Sequence, residues 1–336
     1  MTANDANTPV AGSDVQTARP WSSDELPLRS PGEALVEVLV ELAGRDPRLV
    51  LLTADLAVED GLLPFADAHP ARFRNLGTAT RNALGVAAGM AAAGKVPFVV
   101  LGGPAATGGA ADLIATSIAT TGLHVVIAAL PSGAEAHGQA GTAAVVDLAA
   151  LLAVPGLLIV APADAVETAA VARALIATPG PAYLRLLGGA RPVLFPQPAP
   201  FEVGPVQVLR EGKALTIVAT GALVLEALKA YEMLDAEGLK ARVLAVPTLK
   251  PLDEPAIRRA ARETGGLVVA EEHALRGGLG AAIAQDLARS QPVPIEFVAI
   301  EDRAVSGVGP GGLRAAWGLG AQAIVDAARR LKGRMR

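Results

Sequence analysis

From Pro31 onward the chain alternates short apolar runs with longer stretches in which apolar residues recur every three or four positions. That is the pattern of buried strands followed by amphipathic helices. Residues 32–42 predict the first helix and residues 49–53 the first strand. Strand-like runs at 97–101, 124–128, 157–160 and 182–186 then alternate with helical stretches near 80–93, 110–119, 142–152 and 165–177. This is a βα series, in which each helix carries the chain back to the start of the next parallel strand. Asp164 followed three residues later by Glu167 is a capping-box start for the last of these helices.

The series stops at Arg191-Pro192, where RPVLFPQPAPFEVGP packs five prolines into a stretch unsuited to a central strand or a continuous helix. A linker over 192–206 is the natural reading. A second series follows, with strands at 215–219, 241–246, 266–270 and 294–300 and helices at 223–237, 254–263, 279–288 and near 321–331. The expected fold class is α/β, with two open parallel-sheet domains at 31–191 and 207–333. Residues 1–30, rich in Thr, Asp, Ser, Ala and Pro with little periodicity, read as a disordered or loosely attached arm.

Composition narrows the chemistry. A length of 336 residues suits two domains, and a 51% hydrophobic content with only 3% aromatics makes the apolar mass Ala, Val and Leu, as in buried parallel strands. The net charge of -4 and the scattered Lys and Arg exclude a polyanion-binding stripe, so neither nucleic acid nor an anionic membrane is expected as partner. Without cysteine there is no disulfide, no thiolate nucleophile and no Cys-ligated metal. No early basic segment leads into an apolar core, and no apolar run reaches spanning length, so a cytoplasmic location is expected.

In the first domain the segments DPRLVLLTADL, FRNLGTATRNALGVAAGMAAAGKVPFVV, VAPADAVET and GPAYLRL, and in the second LTIVATGALVLEALKA, ARVLAVPTLKPLD, GGLVVAEEHALRGGLGAAIA and EDRAVSGVGPGGL, follow one family in order and spacing. The chain from about Pro31 to Leu331 resembles the carboxy-terminal half of transketolases and of deoxyxylulose-phosphate synthase-like proteins: a pyrimidine-binding domain and a terminal domain. The resemblance implies thiamine diphosphate with Mg2+ as cofactor, the metal and diphosphate held by a separate amino-terminal subunit through a GDG-type motif. It also implies self-association, assembly as a heterotetramer, and a small sugar-phosphate or keto substrate. The isolated chain is then expected to be inactive.

The resemblance also assigns positions. The family's acid, the Glu of G-x-A-E-x-N, falls on Thr80 within Gly77-Thr78-Ala79-Thr80-Arg81-Asn82. A threonine hydroxyl donates a hydrogen bond but cannot protonate a ring nitrogen near neutral pH, so it forgoes most of a general-acid effect of roughly 10²–10⁴-fold. Its other reading is a helix cap. The family's stacking aromatics fall on Gly102, Ala105 and Gly108, while Asp112 keeps an acid that either hydrogen-bonds across an interface or simply starts a helix.

The family's channel histidines fall on Leu130 and Thr142, leaving His137 and Gln139 as polar candidates, His137 being read either as a mobile proton carrier or as a surface residue. Asp55, at the carboxyl end of a predicted strand, matches an acid near the cofactor. Arg185 matches the arginine that binds the sugar phosphate, the alternative being a structural ion pair. Glu271, Glu272 and His273 ahead of Gly277-Gly278 resemble a metal or acid–base cluster, but are read as structural support in the terminal domain. No metal ligands are assigned to this chain.

Two functions from different classes remain. One is a subunit that completes a ketol-transferring thiamine enzyme. The other is a catalytically impaired scaffold or regulatory subunit, suggested by the joint loss of acid, aromatics and histidines. A thiamine enzyme with chemistry altered to dispense with the acid is a third reading.

Overall fold

The computed structural model describes residues 26–54, 61–133, 145–195, 200–302, 314 and 316–335. After β1 (Leu28–Arg29), the Ser30 hydroxyl caps α1 (Pro31–Arg45) by accepting from Glu33 N–H, and Pro31 presets the first turn. There follow β2 (Leu49–Thr53), α2 (Leu63–Ala68), a 3₁₀ turn at Pro70–Arg72, β3 (Phe73–Asn75), α3 (Thr80–Ala92) and β4 (Val96–Leu101). The chain continues through α4 (Gly103–Thr107), α5 (Ala111–Leu113) running into a π-helical Ile114–Ala119, β5 (Val126–Ala129), α6 (Asp147–Leu151), β6 (Leu158–Val160), α7 (Ala165–Ala177), β7 (Ala182–Arg185) and β8 (Arg191–Pro192).

The second part holds β9 (Gln207–Arg210), β10 (Thr216–Ala219), α8 (Leu223–Ala236), β11 (Arg242–Ala245), β12 (Thr248–Lys250), α9 (Glu254–Thr264), β13 (Leu267–Ala274), α10 (Leu279–Ser290), β14 (Ile295–Ile300) and α11 (Ala321–Arg334). The architecture is α/β with two open sheets. The first is ordered β12-β6-β7-β5-β4-β2-β3 and the second β14-β13-β10-β11-β9.

The two sheets are the expected open α/β sheets, each carrying one antiparallel strand at an edge. β9 adds to β11 and β12 adds to β6, both antiparallel. β12 belongs by sequence to the second series yet completes the first sheet. Lys250 fastens it there, its Nζ donating to the carbonyls of Leu152, at 2.8 Å, and Val154. The supposed arm is also tied down at its end, because Leu28–Arg29 pairs antiparallel with Arg191–Pro192.

Strand alternation divides the core. Leu49 and Leu51 of β2 pack with Leu35, Leu39, Phe98 and Val171 on the α1/α7 face, while Val50 and Leu52 face Ala83, Val99, Ile114 and Leu148. This second cluster runs on without a break into Leu244, Leu249, Val269 and Ile283 of the second domain. With each fully buried Leu, Ile or Val stabilising by ~1.5–3 kcal/mol, the domain junction rests first on apolar packing. The start of the linker is held as well: the buried Asp164 carboxylate accepts from Leu194 and Phe195 N–H at 2.6 and 2.8 Å, and from Glu167 N–H at 2.7 Å. Glu167 itself accepts from Ala163 N–H.

Candidate functional site

β3 ends at Asn75, whose Oδ1 accepts from Gly77 N–H at 3.0 Å. Gly77 sits at φ 62°, a left-handed turn that glycine adopts without strain. The chain then enters α3 with Ala79 at the N-cap and no side-chain cap. Thr80 is therefore the first helical residue and not the cap, which corrects the capping reading: its hydroxyl stands one position too late to bridge back to the first-turn amides.

On the other side of β2, β4 leads through Gly102, the extended N-cap of α4, to Ala105 and Gly108. α4 lies against the chain at Pro131, Gly103 N–H donating to the Pro131 carbonyl at 3.0 Å. A Cβ on Gly103 would stand 2.8 Å from that oxygen, so only glycine allows this approach.

These two strand-to-helix connections face one cavity of ≈ 520 Å³, lined on one side by Thr78, Ala79, Thr80, Arg81 and Asn82 and on the other by Ala105, Gly108 and Gly109. It lies beyond the carboxyl ends of β3 and β4, the edge at which parallel sheets bind ligands. Arg81 clasps the two sides: its Nη1 and Nη2 donate to the Asp112 carboxylate at 2.6 and 2.9 Å, and Nη1 also donates to the Gly109 carbonyl. The Arg81 guanidinium holds the exposed Asp112 carboxyl below its ordinary range. Of the two readings of Asp112, the helix-start position is seen, but the acid is engaged by this clasp.

Hydroxyl, amide and guanidinium groups line the cavity, with no carboxylate and no aromatic ring among the described lining residues. The space and donors suit holding an aminopyrimidine-sized ring by hydrogen bonds. They do not suit protonating it, so no acid–base step by these residues follows.

Arg185 lies elsewhere. At 4% side-chain exposure its Nε donates to Asp147 Oδ2 at 2.8 Å and its Nη2 to the Glu272 carbonyl at 2.9 Å, while the buried Tyr183 hydroxyl donates to the same Asp147 oxygen. Burial works against the guanidinium charge, but Asp147 outweighs it and the net shift is upward. The ion pair is the role the geometry displays. Tyr183 and Arg185 stand two apart on β7 and so share a face, a signal available in the sequence.

Glu271, Glu272 and His273 do not follow a strand as expected: β13 runs through them to Ala274, and all three are buried. Glu271 accepts from Leu279 and Gly280 N–H at 2.7 and 2.8 Å, capping α10, and burial pushes its carboxyl up to about 7. His273 spans the domains, its Nε2 accepting from Ala149 N–H at 3.2 Å. No cluster of three metal-ligating side chains occurs among the described residues. Asp55, His137 and Gln139 lie outside the described residues. Arg81 was not singled out in the sequence, although it directly follows the acid position.

The profile for the transketolase pyrimidine-binding domain matches residues 30–188, and that for the transketolase carboxy-terminal domain matches residues 204–324. The chain belongs to the transketolase family. The 6-deoxy-6-sulfo-D-fructose transketolase subunit of Clostridium sp. (strain MSTE9) is 37% identical over 271 residues, covering 80% of this chain and 84% of that protein. A subunit of the apulose-4-phosphate transketolase of Phocaeicola vulgatus is 36% identical over 278 residues, covering 81% and 88%. A solved split-gene transketolase, described as an inactive beta4 tetramer, superposes with a TM-score of 0.82 at 38% identity, covering 91% of this chain and 99% of that one. This transketolase-family chain thus matches, over about four-fifths of its length, two relatives that are named as subunits. No described helix is long and apolar enough to cross a membrane.

Proposed function

We propose that the chain is the pyrimidine-side subunit of a split transketolase-type enzyme that uses thiamine diphosphate. Assembled with a diphosphate-binding subunit, it transfers a two-carbon ketol unit between small sugar-phosphate or keto substrates. The observation that carries this reading is the meeting of Thr80 and Ala105 in one cavity, because the family resemblance assigns those two positions to the cofactor's pyrimidine ring. Thr80 and Asn82 would hold the ring through hydrogen bonds. Mg2+ and the diphosphate fall to the partner, and the assembly is a heterotetramer built on self-association of this chain. The bound cofactor supplies the carbanion chemistry. What this chain supplies is orientation and exclusion of water.

The relatives support the subunit role, two of them being named as transketolase subunits. A second reading, a catalytically impaired scaffold or regulatory subunit that stabilises an active partner, is favoured by the lack of a carboxylate among the described cavity-lining residues. The deciding experiment is ketol transfer by the complex with a diphosphate-binding subunit, compared with its Thr80→Glu variant. Turnover that rises with the variant supports a ketol-transferring site lacking its acid. Turnover that is brisk in the wild type and slower in the variant points to chemistry adapted to threonine. No turnover in either, with the partner stabilised, leaves the scaffold.

A further inference from the structure

His273 lies on β13 of the second domain, fully buried, and reaches the first turn of α6 in the first. Its two ring nitrogens have different partners. Nδ1 is 2.8 Å from the Ala274 carbonyl, which only accepts, so Nδ1 carries the hydrogen. Nε2 is 3.2 Å from Ala149 N, which only donates, so Nε2 is the bare acceptor. The two contacts define one neutral tautomer. We propose that His273 is a proton-operated latch between the domains: neutral, it ties the first turn of α6 to β13, and on protonation it releases it.

The physical conflict is direct. A proton on Nε2 would point at the Ala149 N–H, placing two donors face to face and a positive charge at the positive end of a helical turn. The surrounding charges are fixed by the packing. Burial opposes the imidazolium most, Asp147 at the start of α6 and the Ala274 and Val146 carbonyls favour it, and Arg185 on β7 opposes it. Tyr183 of β7 spends its hydroxyl on Asp147, Glu271 spends both oxygens on the amides of α10, and Glu272 faces Arg314 at 3.5 Å. His273 lies in the register shift of β13, between Ala270, paired with the uncharged Ala219 and Val298, and Ala274, paired with Ile300.

Gly278 completes the fit, since a Cβ there would stand 2.8 Å from His273 Nδ1 and 2.1 Å from Glu271 Oε2. Burial drives the imidazole down from 6.5 to about 4, in keeping with a ring held neutral. Glu271 makes its hydrogen bonds within the second domain, but its carboxyl also feels Arg185 and Asp147 across the junction, so its titration has to be separated from that of His273.

The test uses the full chain, with hydrogen exchange of peptides covering Ala149 followed from pH 7 to 4 and corrected for intrinsic rate, and with nitrogen-15 shifts of His273 assigned by a His273→Gln variant. The glutamine can offer an uncharged oxygen to Ala149 but cannot titrate. The wild type should show a bare Nε2 down to about pH 5 and should lose protection at Ala149 by ~10-fold per pH unit as the ring titrates, a loss absent in His273→Gln. Repeating both in a Glu271→Gln background removes the opposing carboxyl titration. An imidazole that titrates near 6.5 with Ala149 protection unchanged, or the same acid loss in His273→Gln, would overturn the proposal.

Discussion

Asp147 and Arg185 form an ion pair shut away from solvent, with 0% and 4% side-chain exposure and 2.8 Å between Oδ2 and Nε. Placed where β7 ends and α6 begins, the pair joins Tyr183 on one side to the Glu272 carbonyl on the other, so a first-domain charge is spent on a second-domain backbone. Such a pair adds little over apolar packing while intact, but is expensive to break, because one buried charge is left behind.

Asp147→Ala should therefore destabilise the chain by ~3–5 kcal/mol, far more than an exposed charge deletion. Urea unfolding at neutral pH is the check. A loss below about 1 kcal/mol would mean that water reaches Arg185 and that the junction is looser than described.

Gly278→Ala is expected to be costly for a different reason. The added methyl would meet Glu271 Oε2 at 2.1 Å and Glu271 Cδ at 2.7 Å, in a side chain already fixed by two amides. Relief requires moving the start of α10, and a loss of ~1–3 kcal/mol should appear in the same unfolding assay. Gly85→Ala, in α3 with open space around it, should be neutral or slightly stabilising.

Part of the pH dependence of stability comes from Glu167, whose carboxyl burial pushes up from 4.5 to about 7, as it does that of Glu271. Between those values the native state binds more protons than the unfolded chain, so stability falls as pH rises from about 4.5 through 7 and stays lower above that. Glu167→Gln should flatten this slope, its advantage over wild type growing from pH 5 to pH 8. The variant has partners ready: Ala163 N–H, and Gln207, whose Nε2 donates to Glu167 in the wild type and whose buried Oε1 has no donor among the described residues. Parallel denaturant titrations at the two pH values measure it, and curves that stay parallel contradict it.

Arg81→Ala tests the clasp separately from the fold. The Arg81–Asp112 pair is largely exposed, so the melting temperature should hardly move. Hydrogen exchange across the start of α3 and residues 103–113 should nonetheless increase, since the guanidinium is what joins them. Unchanged exchange would show that backbone packing alone maintains the cavity.

The sheets were legible in the sequence because their strands are uninterrupted apolar runs: β2 at Leu49–Thr53 and α7 at Ala165–Ala177 fall where the pattern puts them. The elements not foreseen lack that signal. β3 reads Phe-Arg-Asn at a half-exposed edge, α4 is Gly-Pro-Ala-Ala-Thr, and β12 is three residues whose partner strand lies in the other domain. For the site, the family motif located Thr80 and Ala105, but nothing local announces that Arg81 reaches Asp112, 31 positions on, with β4 and α4 between them in the chain. Arg185 shows the converse limit: its residue type suits a phosphate, and its surroundings hold it in a buried ion pair.

The central claim is that this chain carries the pyrimidine half of a split site and cannot bind the cofactor alone. Calorimetric titration of thiamine diphosphate with Mg2+ into the purified chain, then into its complex with a diphosphate-binding transketolase subunit, tests it most directly. The account predicts no measurable heat from the chain by itself and saturable binding by the complex. Micromolar or tighter binding by the isolated chain would contradict it.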